Sequence, residues 1–124
     1  MKLFNEQARK EIEEAKSYLI IVEGRKDEQA LKELGFNNIF VINETGKSLY
    51  EKIEEVEEKA GKMKVCILTD FDKKGKKLYL LLKSELSRRK VRLDNSLRGI
   101  LLKLNISHIE GLSTFIKNER EKYR

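Results

Sequence analysis

Lys64-Val65-Cys66-Ile67-Leu68-Thr69-Asp70-Phe71-Asp72-Lys73-Lys74-Gly75 decides how this chain is read. An unbroken apolar run rich in β-branched residues predicts a strand, and a helix is expected from the lysines to about Arg89. Between the two stands a turn with a pair of aspartates separated by one residue. Upstream, Tyr18-Leu19-Ile20-Ile21-Val22 is a similar run that stops at Glu23-Gly24, as a strand buried on both faces would. Asp27 to Leu34 follows with helical periodicity and Gly35 as its left-handed stop. Ile39-Phe40-Val41-Ile42 repeats the pattern, ends in Asn43-Glu44-Thr45-Gly46, and leads to Ser48–Ala60, where Leu49, Ile53, Val56 and Ala60 share a helical face. Leu3 to Lys16 reads as a further helix, with Asn5 as cap and Ala8, Ile12 and Ala15 at helical spacing. Downstream, Val91-Arg92-Leu93 predicts a short fourth strand. Asp94 or Asn95 then caps a helix carrying Leu97, Leu101 and Leu104, and the last stretch is charged.

Strands that alternate with helices, without tight hairpins between them, predict an α/β fold: a central parallel sheet of about four strands with helices on both faces, Rossmann-like. In such sheets, ligands collect beyond the carboxyl ends of the strands. Those ends carry Glu23, Asn43 or Glu44, Asp70 with Asp72, and Asp94, so acidic and polar groups are expected to converge on one rim.

With 124 residues the chain fits one domain, 1–124, with a core over about 17–93, a helical segment at 1–16 and an extension at 94–124. A hydrophobic share of 40% argues against wholesale disorder, and a charged share of 39% must lie mostly on the surface. The net charge of +6 favours polyanionic partners, nucleic acid first among them. The single cysteine, Cys66, sits in an apolar run, which predicts a buried thiol in a reducing, cytoplasmic setting. No apolar run approaches the roughly 18–20 residues of a membrane span, and no membrane contact is expected.

Two carboxylates in one turn can approach the same hard cation, and Mg²⁺ favours a few carboxylates, several waters and phosphate oxygens. An Asp-x-Asp pair alone is also a common turn element. Glu23 changes the balance, because three carboxylates gathered without a cation would repel one another. Arg25, Lys26, Lys73 and Lys74 flank the acids as candidate phosphate ligands, while Lys76 and Lys77 suit a solvated helix face. Gly24 and Gly75 would let the backbone turn sharply or approach a phosphate. His108, the only histidine, lies among Ile106, Ile109 and Leu112 and fits a structural residue better than a proton carrier. The Arg88-Arg89-Lys90-Arg92 cluster and a tail with Lys117, Arg120, Lys122 and Arg124 would contribute to affinity only.

Tyr18 to Gly24, followed by Thr69 to Gly75, resembles the Toprim signature of topoisomerases, bacterial-type primases, recombination-repair proteins and certain nucleases. The likeness runs from about Ser17 to Leu93, and a second one, over Ile106 to Leu112, links the chain to archaeal stand-alone Toprim proteins. The small versions also resemble the Toprim part of a bacterial ribosomal-RNA maturation nuclease. This resemblance implies a general acid or base role for Glu23 and metal binding by Glu23, Asp70 and Asp72, with magnesium as cofactor and manganese able to substitute. Asp27 matches an acid of the primase and nuclease versions, and the resemblance adds it to the implied metal-binding residues. Topoisomerases commonly place a third acid where Lys74 stands here, and their covalent chemistry uses a tyrosine on a domain for which this chain has no room. Strand passage is therefore not expected.

These readings converge on a magnesium-dependent nuclease or nucleotidyl-transfer enzyme acting on RNA or DNA. The alternative is a non-catalytic, metal-assisted nucleic-acid-binding subunit, with protein partners in a larger processing complex. A phosphatase-like Asp-x-Asp enzyme is disfavoured by Lys74 and would leave Glu23 without a role.

Overall fold

The computed structural model describes residues 6–44 and 46–122, with side chains described as far as Asn118. Leu3, the cap expected at Asn5, Thr45 and the side chains of Arg120, Lys122 and Arg124 lie outside the described residues. The elements in chain order are α1 (Glu6–Ala15), β1 (Leu19–Val22), α2 (Arg25–Glu33), β2 (Ile39–Val41), α3 (Leu49–Ala60), β3 (Val65–Ile67), α4 (Lys73–Arg88), α5 (Ser96–Lys103) and α6 (Ile109–Lys122).

The sheet has the order β2-β1-β3 and is parallel throughout. Ile20 pairs with Ile39 on one side and Cys66 on the other, so β1 is central, which explains why its four residues are all buried. Alternation along the strands feeds two cores. Ile20, Val22, Cys66 and Leu68 point to the face covered by α1, α2, α5 and α6, while Leu19, Ile21, Val65 and Ile67 point to the face covered by α3 and α4. The expected two-faced α/β architecture is therefore present.

The sheet departs from expectation at its far edge. Instead of a fourth strand there is a single parallel bridge between Leu93 and Val65, made by the Val65 N–H to the Arg92 carbonyl (2.7 Å) and the Asp94 N–H to the Val65 carbonyl (2.9 Å). The ladder stops there because Asp94 turns to the next helix, its Oδ1 accepting from the Ser96 N–H at 2.9 Å. The second departure is α6. The charged final stretch forms a helix because Ile109, Leu112 and Ile116 recur at helical spacing and are buried in the same core as α2 and α5.

Cys66 is buried, as expected, and burial pushes its thiol up to about 12, so it serves as a small apolar side chain rather than a nucleophile. Among the described residues, no helix is long and apolar enough to cross a membrane.

Candidate metal centre

The ends of β1 and β3 lie side by side, so the segments leaving them meet. The Asp70 N–H donates to Glu23 Oε2 at 2.8 Å, across 47 residues of sequence. One step along, the Gly24 N–H donates to Asp27 Oδ2 at 3.0 Å, which places Asp27 in the first turn of α2 as the anchor of the β1–α2 junction. Asp72 caps α4, its Oδ1 accepting from the Gly75 N–H at 2.7 Å. Each of the four acids expected at the site is thus placed by a strand end or a helix start.

Asp70 is under electrostatic pressure. Its carboxyl is pushed up to about 6, first by burial and then by the negative charges of Glu23 and Asp27; His108 acts in the opposite direction. Its Oδ1 is buried and has no hydrogen-bond partner. A half-buried carboxylate with an orphaned oxygen and acidic neighbours is what a bound cation would stabilise. Ligand atoms of Asp70, Asp72 and His108 lie within 4.8 Å of one another, so this group could hold a metal ion. The two hard carboxylate donors suit a divalent cation of the magnesium–manganese type, so the aspartates present fit the group.

Residues 18–104 match the model of the Toprim domain. The chain belongs to the Toprim family. A UPF0292 protein of Methanocaldococcus jannaschii is 31% identical over 106 residues, covering 83% of this chain and 81% of the relative. Ribonuclease M5 of Mycoplasma mycoides is 44% identical over 61 residues, covering 48% of this chain. That stretch is only 34% of the ribonuclease, so the likeness spans about a third of the enzyme. A solved structure of a protein from Aquifex aeolicus matches with a TM-score of 0.71 at 32% identity, over 85% of this chain and 94% of that one.

The Toprim turn is braced from below by a residue the sequence reading passed over. Arg98 on α5 is only 7% exposed, and its guanidinium donates to the Thr69 carbonyl at 2.6 Å and lies 3.3 Å from Thr69 Oγ1. The same group stacks on Phe71 and Tyr79, with its centre 4.3 and 4.0 Å from the ring centroids. Thr69 Oγ1 in turn donates to the Gly75 carbonyl at 2.8 Å, so one buried cation ties α5, the end of β3 and the start of α4 together. The sequence offered one signal, an arginine on the apolar side of a helix beside Leu97 and Leu101. Arg98→Met is expected to cost about 2–4 kcal/mol in urea denaturation, because the Thr69 carbonyl loses its buried charged donor and the rings lose their cation.

The basic residues divide. Lys73 and Lys74 are exposed in the first turn of α4, beside the Asp-x-Asp turn. Arg25 is instead held by Glu28 at 2.8 Å and by Glu44, towards β2. Lys26 lines a groove between α2 and α6 with Glu33, Glu110 and Lys117. Asp94, expected on the acidic rim, lies at the opposite end of the sheet, where it pairs with Lys64 ahead of β3 at 3.8 Å. The Leu93 bridge to the first residue of β3 dictates that position. Arg88 and Arg89, at the far end of α4, pair with Glu85 and Glu57. Gly24 has extended backbone (φ −137°, ψ 176°), which any residue adopts, whereas Gly75 makes a close approach to Asp70.

Proposed function

We propose that this Toprim chain is a magnesium-dependent nuclease or nucleotidyl-transfer enzyme acting on RNA or DNA, in the cytoplasm. The observation that carries the reading is the Glu23–Asp70 hydrogen bond, which unites the two halves of the acidic motif at one sheet rim beside an orphaned carboxylate oxygen. Asp70 and Asp72 would hold the cation, with Glu23 and Asp27 adding negative charge around it. Bound there, Mg²⁺ or Mn²⁺ supplies charge neutralisation at a phosphate and a more acidic oxygen nucleophile.

Glu23 manages the proton of the attacking or leaving oxygen. Its Oε2 is engaged by the Asp70 N–H, which fixes the carboxylate, and its other oxygen would exchange that proton. Lys73 and Lys74 sit in a first helical turn, where the helix dipole disfavours cations and favours anions. Two lysines there are best explained by a phosphate that they and the helix terminus bind together, with Gly75 letting that terminus lie close to the turn. Arg25, Lys26 and Gly24 at the start of α2 would contact the polyanion further out. Likeness to Ribonuclease M5 supports RNA as the first substrate to try.

Purified protein incubated with structured and single-stranded RNA and DNA, with Mg²⁺ or Mn²⁺, is expected to cleave or extend one of them, and Glu23→Ala and Asp70→Ala are each expected to abolish this. Turnover that survives both substitutions would overturn the assignment. Salt-sensitive binding without turnover would instead make the chain a non-catalytic subunit whose partner protein supplies the chemistry. That reading draws on the chain's match to only a third of the ribonuclease.

A further inference from the structure

The extension that follows the strand-helix core returns to the acidic site. Helix α5 ends at Leu104, and Asn105 takes a left-handed conformation (φ 56°), a helix stop that asparagine tolerates better than most residues. The chain reverses there, and the Ile106 N–H donates to the Leu101 carbonyl at 3.0 Å. Next, the Ser107 carbonyl accepts from the Phe71 N–H at 3.1 Å, a bond to the residue between the two aspartates. Ile109 and Leu112, the first buried residues of α6, then lock the segment from the other side at 1% and 0% exposure. His108 is held between these two anchors. It remains exposed, with its Nδ1 2.9 Å from the Ser107 hydroxyl and a ring nitrogen in the same 4.8 Å group as the Asp70 and Asp72 oxygens.

We infer that His108 is a direct ligand of the cation bound by Asp70 and Asp72, and that it shifts the preference of the site from Mg²⁺ towards Mn²⁺. This inference rests on the metal-binding part of the proposed function. Three observations carry it together. The imidazole stands within coordination reach of both aspartates. Backbone hydrogen bonding and core burial on its two sides hold it there, so the approach does not depend on a free loop. The neighbouring Ser107 hydroxyl fixes the orientation of the ring, as outer partners of metal-bound histidines do. Magnesium takes oxygen ligands almost exclusively, whereas later divalent ions gain from an imidazole nitrogen, so an Asp-Asp-His set discriminates where an all-carboxylate set would not.

The test uses the full chain, made with ¹⁵N-labelled histidine, and Mn²⁺ alone as the probe. Because the chain has one histidine, any histidine nitrogen coupling to bound Mn²⁺ in pulsed electron paramagnetic resonance comes from His108. The expected result is such a coupling in the wild-type chain and its loss in His108→Gln. Mn²⁺ affinity in that variant should fall by about tenfold or more, with much less change for Mg²⁺. Bound Mn²⁺ without histidine coupling, at equal affinity in both proteins, would overturn the inference and leave the proposed function standing. A wild-type chain that binds no Mn²⁺ would overturn both. The wild-type spectrum decides the matter even if the variant folds poorly.

Discussion

Gly75→Ala is expected to destabilise the chain by about 3 kcal/mol or more and to remove metal binding with it. A methyl group at this buried position would stand 2.7 Å from the Asp70 carbonyl carbon and closer still to its oxygen. That neighbour is backbone, so it cannot rotate aside as a flexible side chain could, and either α4 or the Asp-x-Asp turn must move. Movement would break the Gly75 N–H bond to Asp72 Oδ1 and the Thr69 hydroxyl bond to the Gly75 carbonyl, the two links that seat the helix on the turn. Gly99→Ala is the control, because it lies within α5 with nothing within 4 Å of the added methyl. Relieving a helical glycine there should stabilise the chain by up to about 1 kcal/mol. Parallel urea titrations of the two variants check both signs; equal effects would show that the close approach at Gly75 is not what matters.

Asp70→Asn is expected to stabilise the metal-free protein at pH 7 while abolishing its response to Mn²⁺. In the folded chain Asp70 keeps its proton up to about 6, against 3.8 for an ordinary aspartate. Between those values the folded state binds more protons than the unfolded state, so stability falls as pH rises through the window and stays lowered above it. Neutralising the side chain removes that loss, by about 1–2 kcal/mol after allowing for solvent screening of a half-buried group. The advantage should fade as pH drops from 6 towards 4, where the wild-type carboxyl is itself protonated. Added Mn²⁺ at about a hundred times its dissociation constant should stabilise the wild type by about 2.7 kcal/mol and the variant by almost nothing, reversing their order. Thermal melts across pH, with and without the ion, measure both halves. A wild type less stable than Asp70→Asn in saturating Mn²⁺ would show that the ion does not bind at this carboxylate.

The opposed effects in that variant explain why the acidic site was readable from sequence. Nothing in local folding calls for a half-buried Asp70 at the end of a buried strand, and the cost that burial and its acidic neighbours put on its charge signals a use. Asp72 is less telling, since it also serves as a helix cap. The strands were legible because β-branched apolar runs have few alternatives to burial in a parallel sheet. At Val91-Arg92-Leu93 the same logic overreached: a run of three is no longer than a single bridge and the turn that ends it. Helix α6 was missed for the opposite reason. Its lysines and glutamates mask an apolar stripe of Ile109, Leu112 and Ile116, whose value appears only when α2 and α5 lie beneath it.

By itself the amino-acid sequence determined the parallel α/β layering and the rim at which Glu23, Asp70 and Asp72 gather, because hydrophobic period is a property of neighbouring residues and strands alternating with helices cross over in parallel. Only the tertiary structure decided that Arg98 lies under the Thr69–Asp70 turn, that His108 stands beside the aspartates and that Asp94 faces the other way. The first two placements depend on how α5 and α6 pack back across the sheet, and the third on the Leu93 bridge to β3. A backbone hydrogen bond such as Phe71 to Ser107 leaves no trace in the identity of the residues that make it.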